Sequence, residues 1–181
     1  MNKASWINVI NRLAYLIPIY LPEGDGTEIV DVAGNYYHDF RNIRSIKKLI
    51  CRHYTLDYQA LRQHFQKRGG SGSAPLALAP GYTMVAIKTR AARCPGDPCY
   101  GFINLNIIET IEKYEKDGAR SRLLLRNGCI LPCISAIKTI HNALLMARDM
   151  EMKVTCLQTD ATLSELLLRF LKLYEQEKKG L

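Results

Sequence analysis

The sequence predicts an α+β fold, a mostly antiparallel sheet flanked by helices with a C-terminal amphipathic helix. Three observations lead there. Short apolar runs recur between tight-turn signals such as Pro95-Gly96-Asp97-Pro98 and Asn127-Gly128, the pattern of strands joined by hairpins. Segments 41–54 and 162–174 instead carry their apolar residues at helical spacing. The 181 residues, 48% hydrophobic and 23% charged, can build a real core and exclude wholesale disorder.

Taken in order, residues 4–13 form a short helix with Trp6, Ile10 and Leu13 on one side. Residues 15–21 read as a strand, 22–26 as a turn and 28–32 as a second strand, and Gly34-Asn35 turns the chain into a third at 36–40. A helix follows over 41–54. Ile43, Ile46, Leu49 and Ile50 define its apolar face, and at about 100° per residue Arg41, Arg44, Lys48 and Arg52 fall opposite. Thr55 or Asp57 caps a second helix to residue 66, with Leu61 and Phe65 inward and Arg62 and Lys67 outward. Residues 68–74 are a glycine-serine loop. It lacks the lysine and hydroxyl residue of a P-loop, so it is not read as a nucleotide site.

Residues 82–89 are a strand containing Met84, Val85 and Ile87, and it runs into a second basic cluster, Lys88, Arg90 and Arg93. After the Pro95–Pro98 turn, 100–105 form the next strand. Residues 106–114 fit a strand or a short helix, with Glu109, Glu112 and Glu115 marking an exposed face. Asp117-Gly118 is a turn, and 122–125 pairs with 129–132 around Asn127-Gly128, the strongest short hairpin signal. Ser135 caps a helix to about residue 150, with Ile137, Ile140, Leu144 and Ala147 inward. The last helix opens on Thr162-Leu163-Ser164-Glu165, which has the form of a capping box. Leu163, Leu166, Leu167, Phe170, Leu173 and Tyr174 make its apolar stripe, widened by Leu168 and Leu171. A stripe this broad needs burial, against its own domain or in a subunit interface.

The densest chemistry is cationic. Arg41, Arg44, Lys47, Lys48, Arg52, Arg62, Lys67 and Arg68 lie in one stretch with a single acid, Asp57, and the net charge is +8. Surface helices usually interleave acids with bases. A row of unmatched cations suits phosphate backbones, whose neutralisation releases condensed counterions.

No catalytic residue is assigned. His38, His53, His64 and His141 are scattered, neither HExxH nor G-x-S-x-G occurs, and no carboxylates pair in an apolar setting, so neither an enzyme nor a cofactor is expected. Cys51 sits among cations that should lower its pKa, without a base beside it. The six cysteines are expected as thiols in a reducing compartment. Cys94 with Cys99, and Cys129 with Cys133, raise the question of zinc. Neither pair has the two-residue gap of a zinc knuckle, and no metal is assigned. The apolar run 13–21 is too short to span a bilayer and contains Pro18, which favours a cytoplasmic protein without membrane contact.

Leu16-Ile-Pro-Ile-Tyr-Leu-Pro-Glu23, then Gly26-Thr-Glu-Ile-Val-Asp31, an aromatic strand and a basic segment resemble the N-terminal half of the bacterial competence transcription factor ComK family. Residues 79–90, then Tyr100-Gly-Phe-Ile103, and Leu123 through Pro132 followed by a helix are similar to its second half, so the likeness spans about residues 15–150. The loop at 69–73 and the cysteines have no counterpart, and the last helix does not match that family's C-terminal degron. The resemblance implies oligomeric binding to AT-rich duplex with minor-groove involvement. Narrow AT-rich grooves attract inserted arginine, here Arg90 and Arg93, while Arg41, Arg44, Lys48 and Arg52 hold phosphates.

The expected function is therefore DNA binding in transcription regulation, with competence genes as targets. Residues 1–158 form the DNA-binding domain and 159–181 a helix for packing or oligomerisation, through Leu163, Leu167, Leu168, Phe170, Leu171 and Tyr174. The DNA-contacting set is Arg41, Arg44, Lys47, Lys48, Arg52, Arg62, Lys67, Arg68, Lys88, Arg90 and Arg93. The expected partners are double-stranded DNA and further copies of the chain. The hairpin-rich core also looks like a LytTR DNA-binding domain, and a module binding an acidic protein is the alternative outside nucleic acids. Single-stranded RNA is disfavoured by the lack of clustered exposed aromatics.

Overall fold

Side-chain alternation on the strands explains the architecture. Met84 and Ala86 join one core with Leu16, Ile29 and Phe102, while Val85 and Ile87 join a second with Tyr15, Val30 and Ile103. A sheet buried on both faces needs near-continuous apolar runs, and residues 82–87 are indeed all buried. The computed structural model describes residues 5–153, and the helix expected over 162–174 lies outside them, with the oligomer contacts assigned to it.

The fold is α+β. Strands β1 (Leu13–Leu21), β2 (Gly24–Asp31), β3 (Tyr36–Asp39), β4 (Leu76–Ala79), β5 (Tyr82–Lys88) and β6 (Tyr100–Asn104) form an antiparallel sheet in the order β3-β2-β1-β6-β5-β4. Strands β7 (Ile108–Lys116), β8 (Ala119–Leu125) and β9 (Ile130–Cys133) form a second, three-stranded meander. Helix α1 (Ile43–His53) covers one face of the large sheet through Ile43, Ile46 and Ile50, beside α2 (Tyr58–Lys67). The opposite face carries the small sheet and α3, residues 137–153, through Leu123, Leu125, Leu131, Ile140 and Ala147.

The structure departs from the sequence reading in several places. The opening helix is a 3-10 segment, Ser5–Arg12, broken by non-helical dihedrals at Val9, a residue that is itself buried. Strand β4 went unrecognised; it is short, and its Leu-Ala-Leu-Ala run shows no polar alternation because nearly all of it is buried. Residues 108–116 resolve as strand β7, and its acids do not share one exposed face: Glu112 is half-buried and pairs with Arg122 at 2.6 Å. Ser135 stands two residues before α3 begins, and its hydroxyl instead accepts the Lys88 amide at 3.3 Å. Of the capping alternatives, Asp57 holds α2 by accepting from the amides of Gln59 and Ala60.

Candidate nucleic-acid interface

The cationic surface starts from a buried carboxylate. Asp39 accepts from the Trp6 indole at 2.9 Å and from the Arg41 amide, Nε and Nη2, the last at 2.6 Å. Burial pushes its carboxyl up, but the bonds from Arg41 and Trp6 together outweigh that, and its pKa lies below the ordinary carboxylate value. Arg41 is thereby bound to Asp39 and stands before α1, not on its row. The reason is Asn42, whose side chain accepts from the Ser45 amide at 3.0 Å and fixes the helix start at Ile43. From that start, Arg44, Lys48 and Arg52 repeat at one-turn spacing, all exposed.

The second cluster sits on the β5–β6 loop, built around Tyr20 and Asp97. Asp97 Oδ2 accepts from the Tyr20 hydroxyl at 2.5 Å and from the amides of Arg93 and Cys94 at 3.0 Å. The Tyr20 bond, then the Cys94 amide, holds the Asp97 carboxyl below its usual range. Both Arg90 and Arg93 lay their guanidinium groups on the Tyr20 ring, with Cζ 3.8 and 4.0 Å from its centroid.

Arg90 departs from its expected role. Its side chain is only 12% exposed, and it pairs with Asp25 at 2.6 Å and donates to the Pro98 carbonyl at 2.8 Å. Groove insertion would break these contacts, so Arg90 positions the loop, whereas Arg93 remains exposed on it.

The two clusters meet. Arg44 Nη2 donates to the Gly96 carbonyl at 2.5 Å, joining α1 to the loop. Beside that contact a cleft of about 330 Å³ is lined by Arg44, Lys47, Lys88, Asp97, Ser73 and Tyr100, among others. Lys47 leans across from α1 and places its ammonium 3.7 Å from the Tyr58 ring centroid, joining α1 to α2. Lys48, Arg52, Arg62 and Lys67 are exposed and form no ion pair among the described residues. Arg68 forms an exposed ion pair with Asp149 of α3.

Sequence reasoning missed Tyr20, Tyr58, Ser73, Asp97 and Tyr100. The i, i+2 spacing of Tyr100 and Phe102 on one strand was the single linear signal for any of them. Cys51 also reverses its expectation: it is buried, and burial pushes its thiol pKa up against the opposing pull of Lys47. Cys133 is buried in the second core, with Val85 and Ile87, while Cys94 is exposed on the loop, and among the described residues no group of three His, Cys, Asp or Glu side chains is placed to hold a metal. Among those residues, too, no helix is long and apolar enough to cross a membrane. Comparison with models of protein families, with curated proteins and with solved structures gives no match to this chain.

Proposed function

We propose that this chain is a DNA-binding transcription regulator that recognises AT-rich duplex, acts as a homo-oligomer in the cytoplasm and controls genes of the competence type, without enzymatic activity. The observation that carries the reading is the contact between Arg44 and Gly96, residues 52 positions apart. It merges two cation clusters into one surface that neither cluster offers alone. On this surface Arg44, Lys48 and Arg52 take phosphates and set register, with Lys88 bordering the same cleft as Arg44. Arg93, on a loop held by Tyr20 and Asp97, is the candidate for the minor groove, where narrow AT-rich segments concentrate negative potential. The sequence likeness to the ComK family supports the choice of duplex over an acidic protein.

The test is fluorescence anisotropy with labelled AT-rich and GC-rich duplexes over a salt series. The regulator reading expects salt-dependent binding that favours AT-rich duplex. Equal affinity for both would reduce the surface to a generic polyanion binder, and no binding at moderate salt would favour an acidic protein partner.

A further inference from the structure

We propose that the cleft between α1 and the adjoining ends of β5 and β6 is a binding site for a small phosphomonoester. The inference goes beyond duplex binding and does not depend on it. Its first support is charge. Arg44, Lys47 and Lys88 line the cleft, and none has a carboxylate partner among the described residues. The one acid in the lining, Asp97, keeps its charge, but its Oδ2 accepts from the Tyr20 hydroxyl and two loop amides rather than from any of the three cations. Three cations against one carboxylate therefore border one small volume, which leaves it net positive.

The second support is desolvation. Lys47 is half-buried, its ammonium 3.7 Å from the Tyr58 ring centroid and 5.7 Å from that of Phe102. Ring faces attract a cation but do not neutralise it, and a partly desolvated ammonium gains most from an anion delivered beside it. Lys88 also lies over a ring, that of Tyr100 at 5.6 Å, but from an exposed position.

Shape selects the anion. A volume of about 330 Å³ lies at the small end of ligand pockets, the size of a metabolite. A phosphomonoester dianion offers three terminal oxygens to a guanidinium fork and two ammonium groups. A backbone diester carries a single charge and suits the open ridge of Lys48 and Arg52 better. The glycine loop completes the wall. Gly72 has φ +86 and lies so close to Tyr100 that a Cβ would collide with its hydroxyl. The loop can therefore rest on the cleft rim, where Ser73 joins the lining and its Oγ lies 3.2 Å from the Tyr58 hydroxyl.

Calorimetric titration of the full chain at fixed ionic strength tests this, with ribose 5-phosphate, AMP, adenosine and succinate as probes. Ribose 5-phosphate and AMP should bind one to one, adenosine should not bind, and succinate should bind at least about tenfold more weakly. Lys88→Gln, at an exposed position that leaves the core intact, should weaken both phosphate probes about tenfold, and Lys48→Gln, outside the cleft, should leave them unchanged. As a second readout, ribose 5-phosphate should shift the Tyr100 and Phe102 amide resonances. Absence of phosphomonoester binding, indifference to Lys88→Gln, equal affinity for succinate, or an equal loss in Lys48→Gln would each overturn the proposal.

Discussion

Asp39 shows how one residue can carry a surface it does not belong to. Its carboxylate receives the Trp6 indole and three donors of Arg41, and so fixes the turn from which α1 departs. Asp39→Asn removes the charge those donors need and should cost about 2–3 kcal/mol, read from urea unfolding at neutral pH. The sign with pH follows from its lowered pKa. The stabilisation is complete above the ordinary carboxylate value and is lost as pH falls through the folded one, so the wild type should lose more stability than Asp39→Asn between about pH 5 and pH 2. The thiols give a second test at this scale. Burial pushes Cys133 up to about 12 and raises Cys51, whereas Cys94 is exposed. Iodoacetamide at mildly alkaline pH should therefore modify Cys94 well before Cys51 or Cys133, as peptide mass spectrometry would show, and the reverse order would mean the core opens faster than the loop reacts. Neither result was legible in the sequence. A helix of cations suggested an activated Cys51, because linear proximity counts charge but not desolvation. Asp39 drew no attention because its partner Trp6 lies 33 positions away.

Among the elements, α1 was legible almost to the residue, since an apolar stripe opposite a polar one needs only 3.6-residue periodicity to be seen. Its start was not. Arg41 fitted the charged row, and Asn42 decided otherwise by capping the helix behind it. Because Arg44 and Lys48 lie on the exposed row and outside the core, the double replacement Arg44→Glu with Lys48→Glu should fold normally. It should weaken duplex binding on every sequence and flatten the salt slope by up to about two units. Unchanged binding would take α1 out of the proposed interface. The Asn127-Gly128 hairpin was equally plain, and Gly128 at φ +82 shows why: the turn needs a backbone that other residues resist. Strand β4 was not legible, because a strand buried among others has no alternation to display. The helix expected over 162–174, with its stripe broadened by Leu168 and Leu171, lies outside the described residues and carries the proposed oligomer contact. Replacing both with Gln should shift the mass in light scattering toward monomer while the circular dichroism of the domain persists. An unchanged mass would assign the stripe to the fold of a single chain.

At the scale of the whole molecule, the sequence conveyed the class of fold but not its layering. Antiparallel strands and flanking helices follow from local patterns, whereas the placing of a second sheet beneath the first depends on which apolar faces find each other. The candidate site suffered the same limit. Both basic clusters were visible as runs, but the cleft between them is made by pairing β5 with β6 and by the approach of α1, and no spacing along the chain encodes that approach. One feature of the sheet order reaches into how the molecule forms. Strands β3-β2-β1 and β6-β5-β4 are two local triplets, and the bridge between β1 and β6 rests on Tyr15 with Ile103 and Leu16 with Phe102. Everything from α1 to the glycine loop intervenes in the chain. Each triplet can assemble from near neighbours, but closing that seam requires a long-range search, and such searches set folding rates. Mutations at the seam should therefore slow folding more than equally destabilising ones inside a triplet. A chain cut within the glycine loop should yield two pieces that recover the fold only by finding each other, at a rate that rises with their concentration.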